Sequence, residues 1–384
     1  MATSTKGGRI NPEGEVFKQY GEDQEFNISP DECFHLKDVQ VDSVSMGKID
    51  SYLFSNITEN HAIHAVFEPI QYSIVAGSSG NGSISPSGEI LVDCGQSKTF
   101  TFKPNDCYFV YNVIVDDVSK GQINEYTFSD VRSSHRINVI FKKHSYLINA
   151  SAEYGGTIEP SGEFTVNCAS SHIFKITPNS GFAVYDVHIN GTSIGPATTY
   201  TVNNISEDLS VIAKFAAMYS INEGWNLLTL NMSPENEWSS KSLLESINQN
   251  GDVVLIQKWN NGFWKTYSAG ADFGAFKIEM GKGYFLFSEK KSEWLNHGNK
   301  WDGNLYNIHM GYNLLGFSTL GAMKASELAL SINESGGNIT AIRRWDGSGL
   351  ESYMVGTPFG DFPILSKEGY FLYSTKESTF QVSE

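Results

Sequence analysis

Four cysteines are the residues whose type and spacing offer covalent chemistry. Cys33 and Cys107 lie 74 residues apart, and so do Cys94 and Cys168. Four cysteines allow three full pairings. Joining Cys33 to Cys107 or to Cys168 would bridge matching or distant points of a repeated unit. Those points lie at least one small-domain diameter apart, roughly 25–30 Å, whereas a disulfide needs Cα atoms within about 7 Å. The full pairing that survives is Cys33–Cys94 with Cys107–Cys168. A single Cys94–Cys107 bridge with two free thiols, or four reduced thiols, stays open beside it. Disulfides belong to oxidising compartments.

Sugar recognition is the second chemistry on offer. Trp259-Asn-Asn-Gly-Phe-Trp264 and Trp345-Asp-Gly-Ser-Gly349 read as hairpins with Asn-Gly or Asp-Gly turns. Rings beside amides on a loop suit a pyranose, with a ring face for stacking and amides for hydroxyls. The candidate ligand-binding set is Trp259, Trp264, Trp301, Trp345, Tyr267 and Asn261, with Tyr353 as a possible extension. Against it stands packing: Trp225, Trp259 and Trp345 recur in a duplication and are expected in the core. Trp238, Trp264, Trp294 and Trp301 have no matching Trp and are the better candidates for exposed contacts. His61 and His64 face opposite sides of a strand, so they do not chelate together. No Asp-x-Asp-x-Asp-Gly calcium loop is present; Asp42, Asp116, Asp117 and Asp302 read as turn residues. Gly281-Lys-Gly283 lacks phosphate-loop spacing and precedes a strand. No catalytic residue, metal or cofactor is assigned, and a non-enzymatic protein is expected.

These residues sit on a tandem repeat. Pro12, Pro86 and Pro160 are spaced by 74, as are Pro30, Pro104 and Pro178, and Phe67, Phe141 and Phe215. A fixed period of this kind marks an array of small units. Each copy shows alternating apolar and polar runs bounded by Gly, Pro, Asn and Asp, the signature of strands and turns. The three expected all-β domains are 1–71, 72–145 and 146–218. Copies 2 and 3 open with Tyr72-Ser-Ile-Val-Ala76 and Tyr146-Leu-Ile-Asn-Ala150. Copy 1 offers only Met1 to Thr5 for that strand, without apolar alternation. An unpaired sheet edge is therefore expected there, and with it possible self-association.

The motifs Gly82-Ser-Ile84-Ser-Pro86-Ser-Gly88, Phe26-Asn-Ile28-Ser-Pro30, Val39-Gln-Val41-Asp42, Tyr126-Thr-Phe128 and His61-Ala-Ile63-His-Ala65-Val-Phe67 resemble the divergent internalin-type B repeats of bacterial surface and secreted proteins. The resemblance spans residues 7–218. It implies a surface-exposed β module used as stalk or adhesive spacer, without catalytic residues.

All seven Trp lie between 225 and 345, where a second duplication begins. Gly224-Trp-Asn-Leu-Leu228 matches Gly311-Tyr-Asn-Leu-Leu315, and Gly281-Lys-Gly-Tyr-Phe-Leu-Phe-Ser288 matches Lys367-Glu-Gly-Tyr-Phe-Leu-Tyr-Ser374. Each half, 219–302 and 303–384, reads as strand, short helix, then three or four strands. Ser239 or Ser240 and Ser326 are candidate helix caps. The whole chain is thus expected to be mainly β, with three all-β repeats followed by a duplicated α+β pseudo-symmetric domain. This half resembles the often duplicated Gly-Trp-Asn-Leu … Gly-Lys-Gly-Tyr-Trp module at the ends of large extracellular proteins of bacteria and archaea, which implies location more than activity.

The net charge of −16 argues against nucleic acid or an anionic membrane as partner. No run of 18 apolar residues predicts a spanning helix. The start, MATSTKGG, has no apolar core of a signal peptide; it reads as a boundary where an export signal or upstream domains would stand. The expected protein is extracellular or cell-surface: a disulfide-stiffened stalk presenting a recognition or assembly domain. A glycan or a surface protein is the expected partner. A carbohydrate-binding adhesin and the accessory region of a larger secreted hydrolase are the alternatives.

Overall fold

The structure, a computed structural model, describes residues 1–234, 236–317 and 323–382. It is mainly β, with two helices among the described residues, Ser240–Ile247 and Ala325–Glu334. The chain divides into two compact units, Met1–Ser145 with Asn167–Ala169, and Tyr146–Val166 with Ser170–Glu384. Five main apolar cores follow one another along it, spanning residues 2–67, 74–141, 148–215, 217–294 and 306–382.

In the second repeat, one sheet runs in the order Gly88–Asp93, Gln71–Ser79, His135–Lys143, Tyr108–Val115, Val118–Gly121. A second sheet places Lys98–Pro104 between Glu125–Phe128 and Gly82–Ser85. The apolar alternation in these strands puts Ile74, Phe100, Val113, Ile137 and Val139 in a fully buried core. The first strand lies parallel to the last, Ile74 opposite His135 and Ser79 opposite Ile140. Burying a side chain such as Ile74 contributes roughly 1.5–3 kcal/mol.

Turn chemistry repeats with the strands. Asp42-Ser43, Asp116-Asp117 and Asn190-Gly191 all take positive φ, as a two-residue type I′ hairpin requires. Cys33, Cys107 and Gly181 share another such site, with φ of 68°, 67° and 77°. Glycine is the default residue there, and the third repeat has it where the first two carry cysteine. Cys33 bonds to Cys94 with Cα atoms 5.1 Å apart, and Cys107 to Cys168 at 5.5 Å. One residue, Ile70, separates the last strand of repeat 1 from the first strand of repeat 2. Its N–H donates to Cys33 O, and its carbonyl accepts from Cys94 N–H, both at 2.8 Å.

The start of repeat 1 departs from expectation. Ala2–Ser4 is a strand, paired parallel to Ile63–Ala65. The alternation sought there is absent because its counterparts, Ala76-Gly77-Ser78, are small or polar as well.

In the second unit, Leu209–Ile221 is one continuous strand. It pairs with repeat 3 through residues 209–217 and with Ser292–His297 through 216–221. The expected boundary at 218/219 therefore falls inside a strand. The two C-terminal halves share one antiparallel order, Gly224–Thr229, Gly283–Ser288, Val253–Asn260, Phe263–Ser268 and Gly311–Gly316, Gly369–Ser374, Ile339–Trp345, Leu350–Met354. Helix 240–247 covers one sheet with Leu243, Leu244 and Ile247, and helix 325–334 the other with Leu328 and Ile332. Ser239 caps the first helix through Ser242 N–H. Ser326 does not cap the second. That cap position is Lys324, whose N–H is taken by Glu327, while Asp361 accepts from Ser326 N–H and Oγ–H at 2.9 and 2.8 Å.

Candidate functional site

Four of the aromatic residues singled out by sequence, Trp225, Trp259, Trp264 and Trp345, meet at the seam between the C-terminal halves. Leu227, Phe285, Leu314 and Phe371 form its buried centre, with Trp225, Trp259 and Trp345 packed round them. The contacts are reciprocal. Trp259 Nε1 donates to Tyr312 O and Trp345 Nε1 to Trp225 O, both at 2.9 Å. Thr229 N–H donates to Lys367 O, and Gly316 N–H to Gly281 O, each at 3.0 Å. Gly283 and Gly369 meet across the seam. A Cβ on either would lie 2.9 Å from Leu314 or Leu227 and within 3.4 Å of the other glycine's Cα. Glycine recurs at the start of both Gly-Tyr-Phe-Leu strands because two backbones touch there.

This placement decides what each candidate offers. The rings of Trp259 and Trp345 are committed to the seam. Tyr267 is 2 % exposed, its hydroxyl donating to Ala271 O at 3.1 Å, so it presents no stacking face. Trp301 belongs with the second half, despite lying before residue 303. It packs on that core, edge-on to Tyr306 and against Gly281 and Gly303. Trp294, a candidate for exposed contact, is 4 % exposed, stacks beside Tyr219, and donates to Ser246 Oγ at 3.0 Å. Trp238 packs on the first half's core and lines a cleft of about 380 Å³ with Lys277 and Glu279. Trp264 keeps 39 % of its surface in solvent, with its ring edge-on to Trp259, Phe285 and Phe371. Asn261 sits at the tip of the same hairpin with φ of 46°, the positive φ its Asn-Gly turn demands. Trp264, Asn261 and exposed Phe263 are thus the members of this region open to a ligand.

The charged groups nearby serve packing. Lys367 Nζ donates to Met218 O at 2.7 Å and to Gly181 O, beneath the rings of Phe182 and Tyr219. Burial lowers its pKa and that of Lys282, and raises that of Glu368. Among the described residues no group of three or more His, Cys, Asp or Glu is placed to hold a metal. No helix among them is long and apolar enough to cross a membrane.

In the repeats, His61 and His135 are structural. Each pairs with an aspartate, Asp42 or Asp116, at 2.7 Å and stacks on Phe54 or Phe128. The same carboxylates accept from Ala62 N–H and Arg136 N–H at 2.8 Å. These bonds hold Asp42 below the usual carboxylate range, the Ala62 amide first and His61 second. Asp116 is partly desolvated, which opposes the shift, but Arg136 N–H and His135 lower it overall. His64 instead bonds Thr3 Oγ1 at 2.7 Å.

Sequence reasoning singled out no binding residue in repeat 1, only an open edge. The structure places there a cleft of about 630 Å³, walled by Val16, Phe26, Phe54, Ile57 and Ile63, with Tyr20 exposed at the rim.

Neither a known family profile nor a curated protein matches the chain. Solved structures give low-scoring likenesses. The I9–I11 tandem of titin is 9 % identical with a TM-score of 0.13, over 55 % of this chain and 94 % of that one. Sidekick-1 immunoglobulin domains 1–5 are 10 % identical with a TM-score of 0.10, over 98 % of both. At these scores neither architecture carries over to this chain.

Proposed function

We propose that this chain is a non-enzymatic extracellular or cell-surface protein, in which a covalently stiffened repeat stalk presents a C-terminal recognition or assembly domain. The observation that carries this reading is the joint at Ile70. A one-residue linker, with N–H and carbonyl both bonded, beside a disulfide running from repeat 1 to repeat 2, leaves little freedom of bending. Cys107, His144 and Cys168 reproduce the hydrogen bonds and the bridge. Such joints suit holding something at a distance, and their bridges require an oxidising compartment. The resemblance of residues 7–218 to internalin-type B repeats supports the same role. The test is surface labelling of intact source cells with a membrane-impermeant reagent, then non-reducing peptide mapping. Labelled protein yielding Cys33–Cys94 and Cys107–Cys168 peptides is expected. Protein shielded from label with four free thiols would overturn the reading.

Carbohydrate binding by the C-terminal domain is the second reading, favoured by Trp264 projecting from a hairpin tipped by Asn261. A glycan array probed with the full chain and with Trp264→Ala separates the two. Binding lost in the variant supports a sugar platform, and silence of both chains removes it.

A further inference from the structure

Beyond the buried centre of the seam, each C-terminal half keeps a pair of cross-strand rings. Trp225 lies opposite Phe287 in the first half, and Tyr312 opposite Tyr373 in the second. Their centroids are 5.3 and 4.9 Å apart. The next strand of each sheet sets one polar side chain beside the pair, Gln257 opposite Phe285 and Arg343 opposite Phe371. The outermost strand adds a hydroxyl, from Thr266 or Ser352. The duplication has kept one arrangement and changed its chemistry. Gln257 is satisfied within the first half, its Nε2 donating to Thr266 Oγ1 at 2.9 Å. At the same four places the second half carries two phenols, a guanidinium and a hydroxyl.

Arg343 stands apart in this group. Strand alternation puts it on the face that holds Phe285 and Phe371. Among the described residues it is the one charged side chain on that face of either sheet. No hydrogen bond or ion pair joins its guanidinium to a described residue, and its Nε is buried without a partner. Arg344, on the opposite face, has the Glu351 carboxylate at 2.6 Å. What holds Arg343 is a ring: its Cζ lies 5.4 Å from the centroid of Tyr312. Tyr312 and Tyr373 are each 37 % exposed, and Ser352 is exposed beside them. Across the seam, Trp264 meets the Phe371 ring edge-on at 6.0 Å, and Tyr312 meets the same ring at 6.3 Å. The open tryptophan of the first half and the Arg343 group of the second therefore flank one residue.

We propose that Arg343, Tyr312, Tyr373 and Ser352 form a subsite for a pyranose bearing an anionic group, carboxylate or sulfate, on a glycan that continues onto Trp264. This subsite rests on the sugar-binding reading above and gives it a ligand class. A guanidinium already laid against a ring presents a planar fork that matches either oxyanion. The tyrosines supply apolar ring surface and hydroxyls together. In a chain of net charge −16, strands free of carboxylates around one unpaired cation complement a single anionic group. The net charge acts against a long polyanion but not against a short segment here, because charges more than about 8 Å away are screened at physiological salt.

The probe is an array of uronate-, sialate- and sulfate-bearing oligosaccharides beside neutral ones, with peptides carrying free or amidated C termini, exposed to the full chain. The strongest glycan is then titrated by calorimetry. Binding confined to anion-bearing glycans is expected, and the carboxylate and sulfate arms identify the group. Arg343→Gln, which installs the residue of the first half, should weaken binding by at least ~10-fold. Arg343→Lys should recover part of the loss, because it restores the charge without the fork. In the unmutated chain the bound glycan should slow phenylglyoxal modification of Arg343, followed by peptide mapping. Neutral glycans bound as tightly as acidic ones, full affinity in Arg343→Gln, or modification that the glycan does not slow overturns the proposal and leaves the sugar-binding reading standing. Silence across all glycans removes that reading and the subsite with it. Binding only of peptides with a free C-terminal carboxylate, lost in Arg343→Gln, overturns the proposal in favour of a protein partner.

Discussion

Between repeats 1 and 2 the chain crosses on a single residue, and the joint holds two backbone hydrogen bonds, a disulfide and the Arg132–Glu32 ion pair. Between the C-terminal halves the joint is a shared apolar core: Leu227, Phe285, Leu314 and Phe371 with reciprocal tryptophan caps. Each repeat has its own core, and the covalent tie runs between the two. Each C-terminal half leaves a strand face open that its duplicate covers. Repeats 1 and 2 are joined by a bridge between two cores. The C-terminal halves add to their own cores a third one that both share, where a Gly-Gly contact is ringed by Phe and Trp.

Three experiments break or sharpen this contrast, beginning with the largest effect. Residues 219–302 and 303–384 expressed apart should show no cooperative unfolding transition, and Gly369→Val, which drives a side chain into Leu227, should lose most of the domain's stability. A cooperative melt from either half alone would refute the shared core. The next effect is on the repeats. Cys33→Ser with Cys94→Ser opens a bridge of sequence separation 61. By chain entropy this costs the first unit about 4 kcal/mol, measured by chemical denaturation, while both cores remain folded. Loss of repeat 2 structure would show that the bridge completes a core.

The smallest effect separates repeats 1 and 2 from repeat 3, which has Asn190 where they have aspartate. Asp42 and Asp116 have lowered folded values. The stability they contribute is therefore present above the unfolded carboxylate value, near pH 3.9. It is lost as pH falls through the lower folded values. Below about pH 4 the Ala62 and Arg136 amides, held by Asp42 and Asp116, should lose hydrogen-exchange protection before the Ser210 amide, held by Asn190. Asp42→Asn and Asp116→Asn should erase the difference. Equal acid sensitivity of the three amides would count against the carboxylate tie.

The 74-residue period was legible because strand alternation and positive-φ turns are local, and both recur at every step. Distance removed two of the three full cysteine pairings and left a lone Cys94–Cys107 bridge or free thiols open; the structure has the remaining full pairing. Tryptophan placement did not. Nothing local distinguishes Trp259, whose indole reaches Tyr312 O on the other half, from Trp264, five residues on and open to solvent. The two are cross-strand partners on one face of the hairpin, both against the seam, and what separates them is the backbone acceptor on the other half that Trp259 reaches. Trp294 lacked a matching Trp in the other half and was expected to be exposed, yet its position corresponds to a core aromatic, Phe380, also buried. A change of residue type was mistaken for a change of role. The boundary expected at 218/219 falls inside a strand because Met218–Ile221 does for the first half what Leu305–Ile308 does for the second, while remaining the end of a repeat strand.

The two bridges also decide how far this chain can be drawn out. Cys33 and Cys168 are 135 residues apart, a contour of roughly 450–490 Å when fully extended. With both bridges closed, tension passes from Cys33 to Cys94, along 13 residues to Cys107, and across to Cys168. The segments 33–94 and 107–168 hang as loops outside the loaded path. Even with every strand torn open, that stretch lengthens to only about 45 Å plus two bridges. Between Cys33 and Cys168 the oxidised chain has a nearly fixed reach, and a reductant makes that stretch roughly eight times longer.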